Sequence, residues 1–233
     1  MENSDILKLL EKQRDDLFNK LNITSISKLH KQQYDGIKSG EIYLIVDEKE
    51  EMLEELKELS KDTSYNKPFK NKLKEYLNLD NKKIVSHFYE ELKSVFEEMV
   101  VSDKFDDIQG IFIEYDFYYH YSSCIQCYGK QDYPTYQEPR YIKEIDYNKQ
   151  VLFIQKGINF EPAWLDCEEF EELEHLEVST ELENLFQLHS RVLLHKAIDN
   201  LHNNKILKTF SVKPTFIYIN EHDCEQMILY ITP

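Results

Sequence analysis

The spacing of apolar residues changes near residue 105, and this change limits the folds that the chain can adopt. Before it, apolar residues recur every three to four positions, as a helix with one buried face requires. The clearest helix runs through Ile84, Val85, Phe88, Leu92, Val95, Phe96 and Met99. After it, the period is two, as in a half-buried strand, through Ile111, Ile113, Tyr115, Phe117, Tyr119 and Tyr121. Helices followed by strands predict an α+β fold rather than alternating βαβ units.

Further elements complete this expectation. Ile125–Tyr128 either continues or returns the first strand, Val151–Gln155 predicts another, and Thr215–Ile219 with Met227–Ile231 predicts a hairpin. A long helix lies between them, and Thr180 with Glu183 has the spacing of a capping box at its start. We therefore expect an N-terminal helical region, 1–105, followed by an α+β region, 106–233, with a mainly antiparallel sheet and a long packed helix. The two regions are also compatible with one compact domain overall.

The charge of the chain restricts its partners. The sequence has 44 acidic and 28 basic residues, a net charge of −16. Such a surface repels the phosphates of nucleic acids and attracts basic proteins. With only 5 glycines and no phosphate-binding loop, a nucleotide-binding fold is disfavoured. No membrane-spanning or signal segment is evident, so we expect a cytoplasmic protein with reduced cysteines.

An acidic segment is the most distinctive local feature. Residues 161–190 contain ten acids and no lysine or arginine. Like charges at helical spacing repel each other, so this density suggests either plain solvation of the carboxylates or a basic partner that relieves the repulsion. Nearby aromatic residues could anchor that partner while the charges steer it. The predicted partner-binding residues are Asp166, Glu168, Glu169, Glu171, Glu172, Glu174, Glu177, Trp164, Tyr133 and Tyr136. Core packing is the simpler role for any one of the aromatics.

Three groups of residues could carry other chemistry. Glu114, Asp116 and His120 alternate along the predicted strand and could bind a metal or transfer protons. Cys124 and Cys127 form a single C-x-x-C without the second ligand pair of a structural zinc site, so two small buried cysteines are the simpler expectation. His189 lies on the apolar face of the long helix and predicts a hydrogen-bonded core histidine. No catalytic motif is present, and we expect no catalytic residue, cofactor or bound metal.

The acidic surface, the aromatic strand Ile111–Phe117 and the lack of catalytic motifs resemble bacterial polymorphic-toxin immunity proteins. This resemblance is one of overall character and carries no residue across. It implies a non-enzymatic inhibitor that binds and neutralises a basic toxin. Two alternatives stay open at this point. One is a metal-dependent enzyme that uses Glu114, Asp116 and His120, and the other is a phage or mobile-element accessory protein that mimics nucleic acid.

Overall fold

A computed structural model describes residues 2–23, 71, 74–116, 120–133, 145–164, 178–204, 207, 214–221 and 226–232 of the chain. Within these ranges lie three long helices, α1 (Asn3–Ile23), α2 (Asn81–Val100) and α3 (Val178–Asn203). Its strands are β1 (Gly110–Asp116), β2 (His120–Tyr128), β3 (Gln150–Ile154), β4 (Thr215–Glu221) and β5 (Met227–Thr232). The predicted α+β fold is confirmed.

The five strands form one sheet in the order β3-β2-β1-β4-β5. Three of the four pairings are antiparallel, and β1 with β4 is parallel. Of the residues expected in one strand, 111–116 belong to β1 and 120–121 to β2, and Asp116 pairs with His120. In the sequence, the alternation continues without a break from 111 to 121, so the period does not show that β1 ends at Asp116.

The two faces of the sheet carry different side chains. Tyr115 of β1 and Tyr230 of β5 contact α3: the Tyr115 hydroxyl donates to Gln187 Oε1 (3.2 Å), and the Tyr230 hydroxyl donates to Asp199 Oδ1 (3.0 Å). On the opposite face, Phe112 stacks on Tyr218 at a ring-centroid distance of 4.7 Å. Nearly every residue of β1 and β4 is buried, so both faces of the sheet are covered at these two strands.

Helix α2 matches its predicted apolar stripe. Its buried residues are Ile84, Phe88, Leu92, Val95, Phe96 and Met99. The Asp80 side chain caps the helix by accepting a hydrogen bond from the Lys83 amide (3.1 Å). Asn81 Oδ1 lies 2.9 Å from His189 Nε2, and His189 is 3% exposed. The prediction of a hydrogen-bonded core histidine is therefore confirmed.

Helix α3 starts at Val178, so Thr180 lies within its first turn and not at the cap position.

The start of α1 protects an edge of the sheet. The Asn3 amide donates through Nδ2 to the carbonyl of Ile231 and accepts through Oδ1 from its amide, both at 2.8 Å. One side chain thus satisfies both backbone groups of Ile231 in the edge strand β5. Unpaired edge groups invite pairing with other chains, so this contact blocks part of the edge.

The chain divides into two compact units. The first contains Met1–Gln13, Asp80–Trp164 and Gln187–Pro233, and the second contains Arg14–Leu79 and Leu165–Phe186. The sheet and α2 both belong to the first unit. In the second unit, Tyr76 packs against Phe18 and Phe186, and burial raises the pKa of its hydroxyl to about 12. The expected division into 1–105 and 106–233 stays a prediction.

Candidate functional site

The acidic part of the predicted partner-binding set lies outside the described residues. This applies to Asp166, Glu168, Glu169, Glu171, Glu172, Glu174, Glu177 and also to Tyr136. Their role in partner binding stays a prediction. The two remaining members, Trp164 and Tyr133, are described, and both are core residues.

Trp164 and Tyr133 are each 6% exposed. The Trp164 indole stacks on Phe160 and donates to Ser190 Oγ at 2.7 Å. The Tyr133 ring covers Gly110, and its hydroxyl donates to the Gly129 carbonyl at 2.7 Å. Each aromatic ring is packed, and its polar atom has a partner within the protein. Both side chains are thus packed in the core, and their part in partner binding stays a prediction.

The proposed acid–imidazole group is only partly brought together. Asp116 pairs with His120 across the β1–β2 ladder, and Glu114 shares the strand with Asp116. Glu114 Oε2 accepts hydrogen bonds from Gln126 Nε2 (3.0 Å) and Asn220 Nδ2 (3.3 Å). Amide donors thus hold this carboxylate. The His120 side chain is outside the described part, and among described side chains no group of three His, Cys, Asp or Glu could hold a metal ion.

Strand geometry decides how the two cysteines are used. Cys124 and Cys127 are three residues apart in β2, so their side chains point to opposite faces of the sheet. They therefore cannot both bind one zinc ion. Burial raises the pKa of the Cys127 thiol to about 12, and burial followed by the Glu114 carboxylate raises the pKa of Cys124. Both thiols are held in the protonated form, which is neither a good ligand nor a good nucleophile.

An exposed acidic surface does occur at the C-terminal end of α2. We call this surface the α2 acidic end; it comprises Glu97, Glu98, Val100, Val101, Asp103, Asp106 and Asp107. All seven side chains are exposed, and between Glu97 and Asp107 the sequence has five acids and one lysine, Lys104. Val100 is 46% exposed and Val101 83%. Apolar side chains thus project among carboxylates.

The charges of the α2 acidic end oppose the helix that carries them. The last turn of α2 contains Glu97 and Glu98 and no basic residue. The C-terminus of a helix bears a partial negative charge, so each carboxylate there costs about 0.3–1 kcal/mol. Asp103 lies three residues after the end of the helix, and its Oδ2 is 4.0 Å from Lys104 Nζ. A basic ligand would relieve this local repulsion.

A second group of polar side chains is packed where β1 and β4 end. Arg191 of α3 donates through Nη2 to the Tyr115 hydroxyl at 2.8 Å and weakly to Gln187 Oε1 at 3.5 Å. Gln187 Nε2 donates in turn to Glu221 Oε2 at 3.4 Å. Burial raises the pKa of Glu221, although Gln187 and Arg191 partly offset the shift and Asp116 adds to it. We call Tyr115, Gln187, Arg191 and Glu221 the Arg191 cluster.

The sequence analysis identified neither the α2 acidic end nor the Arg191 cluster, although each leaves a recognisable pattern in the sequence. The chain has three arginines, and Arg191 is the one that interrupts the most apolar stretch of the long helix. Between Leu185 and Ile198 only Leu188, Arg191 and Lys196 are not buried. The α2 acidic end is readable as acids with no lysine or arginine in the last turn of a predicted helix, the reverse of the usual preference.

Comparisons with family models, curated proteins and solved structures found no match for this chain. In the described ranges, no helix combines the length and apolar character needed to cross a membrane.

Proposed function

We propose that this chain is a non-enzymatic acidic binding protein of the cytoplasm whose partner is a basic protein. The observation that carries the proposal is the α2 acidic end, where five exposed carboxylates and two exposed valines lie within eleven consecutive residues. Carboxylates steer and orient a basic partner, while apolar side chains that lose water on contact supply affinity. The net charge of −16 extends the attraction beyond this surface.

The same features favour toxin neutralisation as the biological setting. An immunity protein must reach its toxin faster than the toxin reaches its target, and charge complementarity raises the rate of association. A basic toxin would also be kept from nucleic acid by an acidic surface that competes for the same side chains. The segment 161–190, with its ten acids, stays a separate predicted site of partner binding.

The proposal is tested with a variant that removes three negative charges from the α2 acidic end, compared with a variant that removes three negative charges at other exposed positions. The test variant is E97Q/E98Q/D103N, and the control variant is E2Q/D16N/E161Q, which removes the same charge at other exposed positions. Each purified protein is immobilised and presented with lysate of the source cells at low salt. We expect wild type and control to retain the same basic protein, the test variant to lose it, and salt to release it.

The partner is then produced alone in a growth assay. If the proposal holds, the partner arrests growth, and coexpression of wild type or control restores it, while the test variant restores it less well. Retention of the partner by all three proteins alike, or the absence of any salt-sensitive basic partner, would contradict the proposal.

A further inference from the structure

The edge of the sheet at β3 carries two exposed aromatic side chains. Tyr147 is 65% exposed and Phe153 53%. The Tyr147 ring lies 6.1 Å from the Tyr128 ring. The Tyr128 hydroxyl donates to Gln126 Oε1, and Gln126 pairs with Phe153 across the β2–β3 ladder. Residues paired across a ladder point to the same face of a sheet, so Tyr147 and Phe153 belong to one surface.

Lysines accompany these aromatic rings in a chain that is strongly acidic elsewhere. Lys149 and Lys156 are exposed, and no described carboxylate forms an ion pair with either ammonium group. Residues 147–160 contain no acid. The acid that precedes them, Asp146, accepts hydrogen bonds from the backbone and side-chain amides of Asn148. We call Tyr147, Lys149, Phe153 and Lys156 the β3 patch.

The β3 patch is complementary to the α2 acidic end. In each surface, two exposed apolar or aromatic side chains lie among charged residues, and the charges are of opposite sign. Within the described ranges, five large apolar side chains are exposed, and these two surfaces hold four of them. Contact between the two surfaces would remove all four from water and would place lysines against carboxylates.

The two surfaces lie side by side on the same molecule. A Cβ at Gly129 would be 3.7 Å from the carbonyl oxygen of Asp107 and 3.7 Å from that of Lys149. Asp107 is the last residue of the α2 acidic end, and Lys149 belongs to the β3 patch. The Gly129 amide donates to the Lys149 carbonyl at 2.8 Å, which holds the two segments in this arrangement. Neighbouring surfaces of this kind can meet twice across a twofold axis, and such an interface closes on itself.

We propose that the chain forms a twofold dimer in which the β3 patch of each copy covers the α2 acidic end of the other. The net charge of −16 on each copy opposes association. Because the attraction is confined to the two contacts, we expect a weak dimer, with a dissociation constant on the order of 10 μM. A basic protein that binds the α2 acidic end more tightly would then separate the copies. This last step rests on the proposed function, whereas the dimer itself does not.

Sedimentation equilibrium of the purified full chain tests the dimer without any partner. Between about 1 and 300 μM, the weight-average mass should rise from 28.0 kDa toward about twice that value. F153S should raise the dissociation constant at least about tenfold, because it removes a large apolar side chain from both contacts. L77S is the matched control, since Leu77 is 62% exposed and belongs to neither surface; it should dimerise as the wild type does.

Charge reversal of one surface at a time tests how the surfaces pair. K149E/K156E makes the β3 patch acidic, and E97K/E98K/D103K makes the α2 acidic end basic. In a dimer of either variant, like charges meet at both contacts, so each variant alone should stay monomeric. In an equimolar mixture, opposite charges meet at both contacts again, and dimers should return.

Three results would overturn the proposal. They are a mass that stays at 28.0 kDa over the whole concentration range, dimerisation that F153S and both charge variants leave unchanged, and a mixture no more associated than its two components. Assemblies larger than a dimer would exclude the twofold arrangement. Because no partner is present in these measurements, none of the results decides whether the α2 acidic end binds a basic protein.

Discussion

The contact between Asn3 and Ile231 provides a quantitative test of how the sheet edge is protected. Two hydrogen bonds of 2.8 Å join the side chain to both backbone groups of Ile231. A net contribution of about 1 kcal/mol for each bond predicts that N3A lowers the free energy of unfolding by about 2 kcal/mol. For a domain of this length, the midpoint of thermal unfolding would fall by about 4–8 °C.

N3D separates hydrogen bonding from side-chain size. The carboxylate keeps an acceptor for the Ile231 amide but places an oxygen against the Ile231 carbonyl, so the loss should at least equal that of N3A. S4A is the control, because Ser4 is the exposed neighbour of Asn3 and should change stability by less than about 0.5 kcal/mol.

Urea denaturation measures the free energies, and hydrogen exchange at the Ile231 amide reports the local contact. The amide should exchange faster in N3A and N3D than in wild type or S4A. If N3A unfolds with the wild-type midpoint and leaves exchange at Ile231 unchanged, the contact does not protect the edge and the reasoning is refuted.

Two further predictions concern buried side chains. His195 is 2% exposed; burial lowers its pKa, although Asp199, the Asn3 backbone and Glu11 favour the charged ring, and Lys196 opposes it. The His195 ring therefore takes up a proton more readily in the unfolded chain than in the folded one. The free energy of unfolding should fall as pH drops below about 6.5, by at most about 1.4 kcal/mol per pH unit. Denaturation at pH 7 and pH 5 measures this dependence, and H195Q should reduce it. A Cβ at Gly110 would overlap the Tyr133 ring, so G110A should cost about 1–3 kcal/mol, whereas G129A, whose nearest atom is Val151 Cγ1 at 3.4 Å, should cost little; equal midpoints for the two variants would contradict this.

The local elements of the fold were predictable because their side-chain periods are strong. The stripe of α2 and the hairpin of β4 with β5 follow from spacing alone, and both occur as expected. The division of 111–121 between β1 and β2 did not follow, since the alternation in the sequence continues from Phe117 to Tyr121. The parallel pairing of β1 with β4 joins segments about a hundred residues apart, and no local pattern encodes such pairing.

The site was less predictable than the fold. Aromatic residues serve equally well in cores and in interfaces, and only the structure shows that Trp164 and Tyr133 are buried. The C-x-x-C spacing of Cys124 and Cys127 does not indicate a shared zinc site, because both residues lie in β2 and their side chains point to opposite faces of the sheet. The Arg191 cluster assembles from α3 and the ends of two strands, which sequence spacing cannot bring together.

The rate of association with the basic partner tests the central claim most directly. The account predicts that the association rate constant of the wild type falls steeply between about 20 and 200 mM salt, as charge steering requires. E97Q/E98Q/D103N should associate more slowly at low salt and show a shallower dependence, while E2Q/D16N/E161Q stays closer to the wild type. Equal rates and equal salt dependence for the two triple variants would show that the α2 acidic end does not guide the partner.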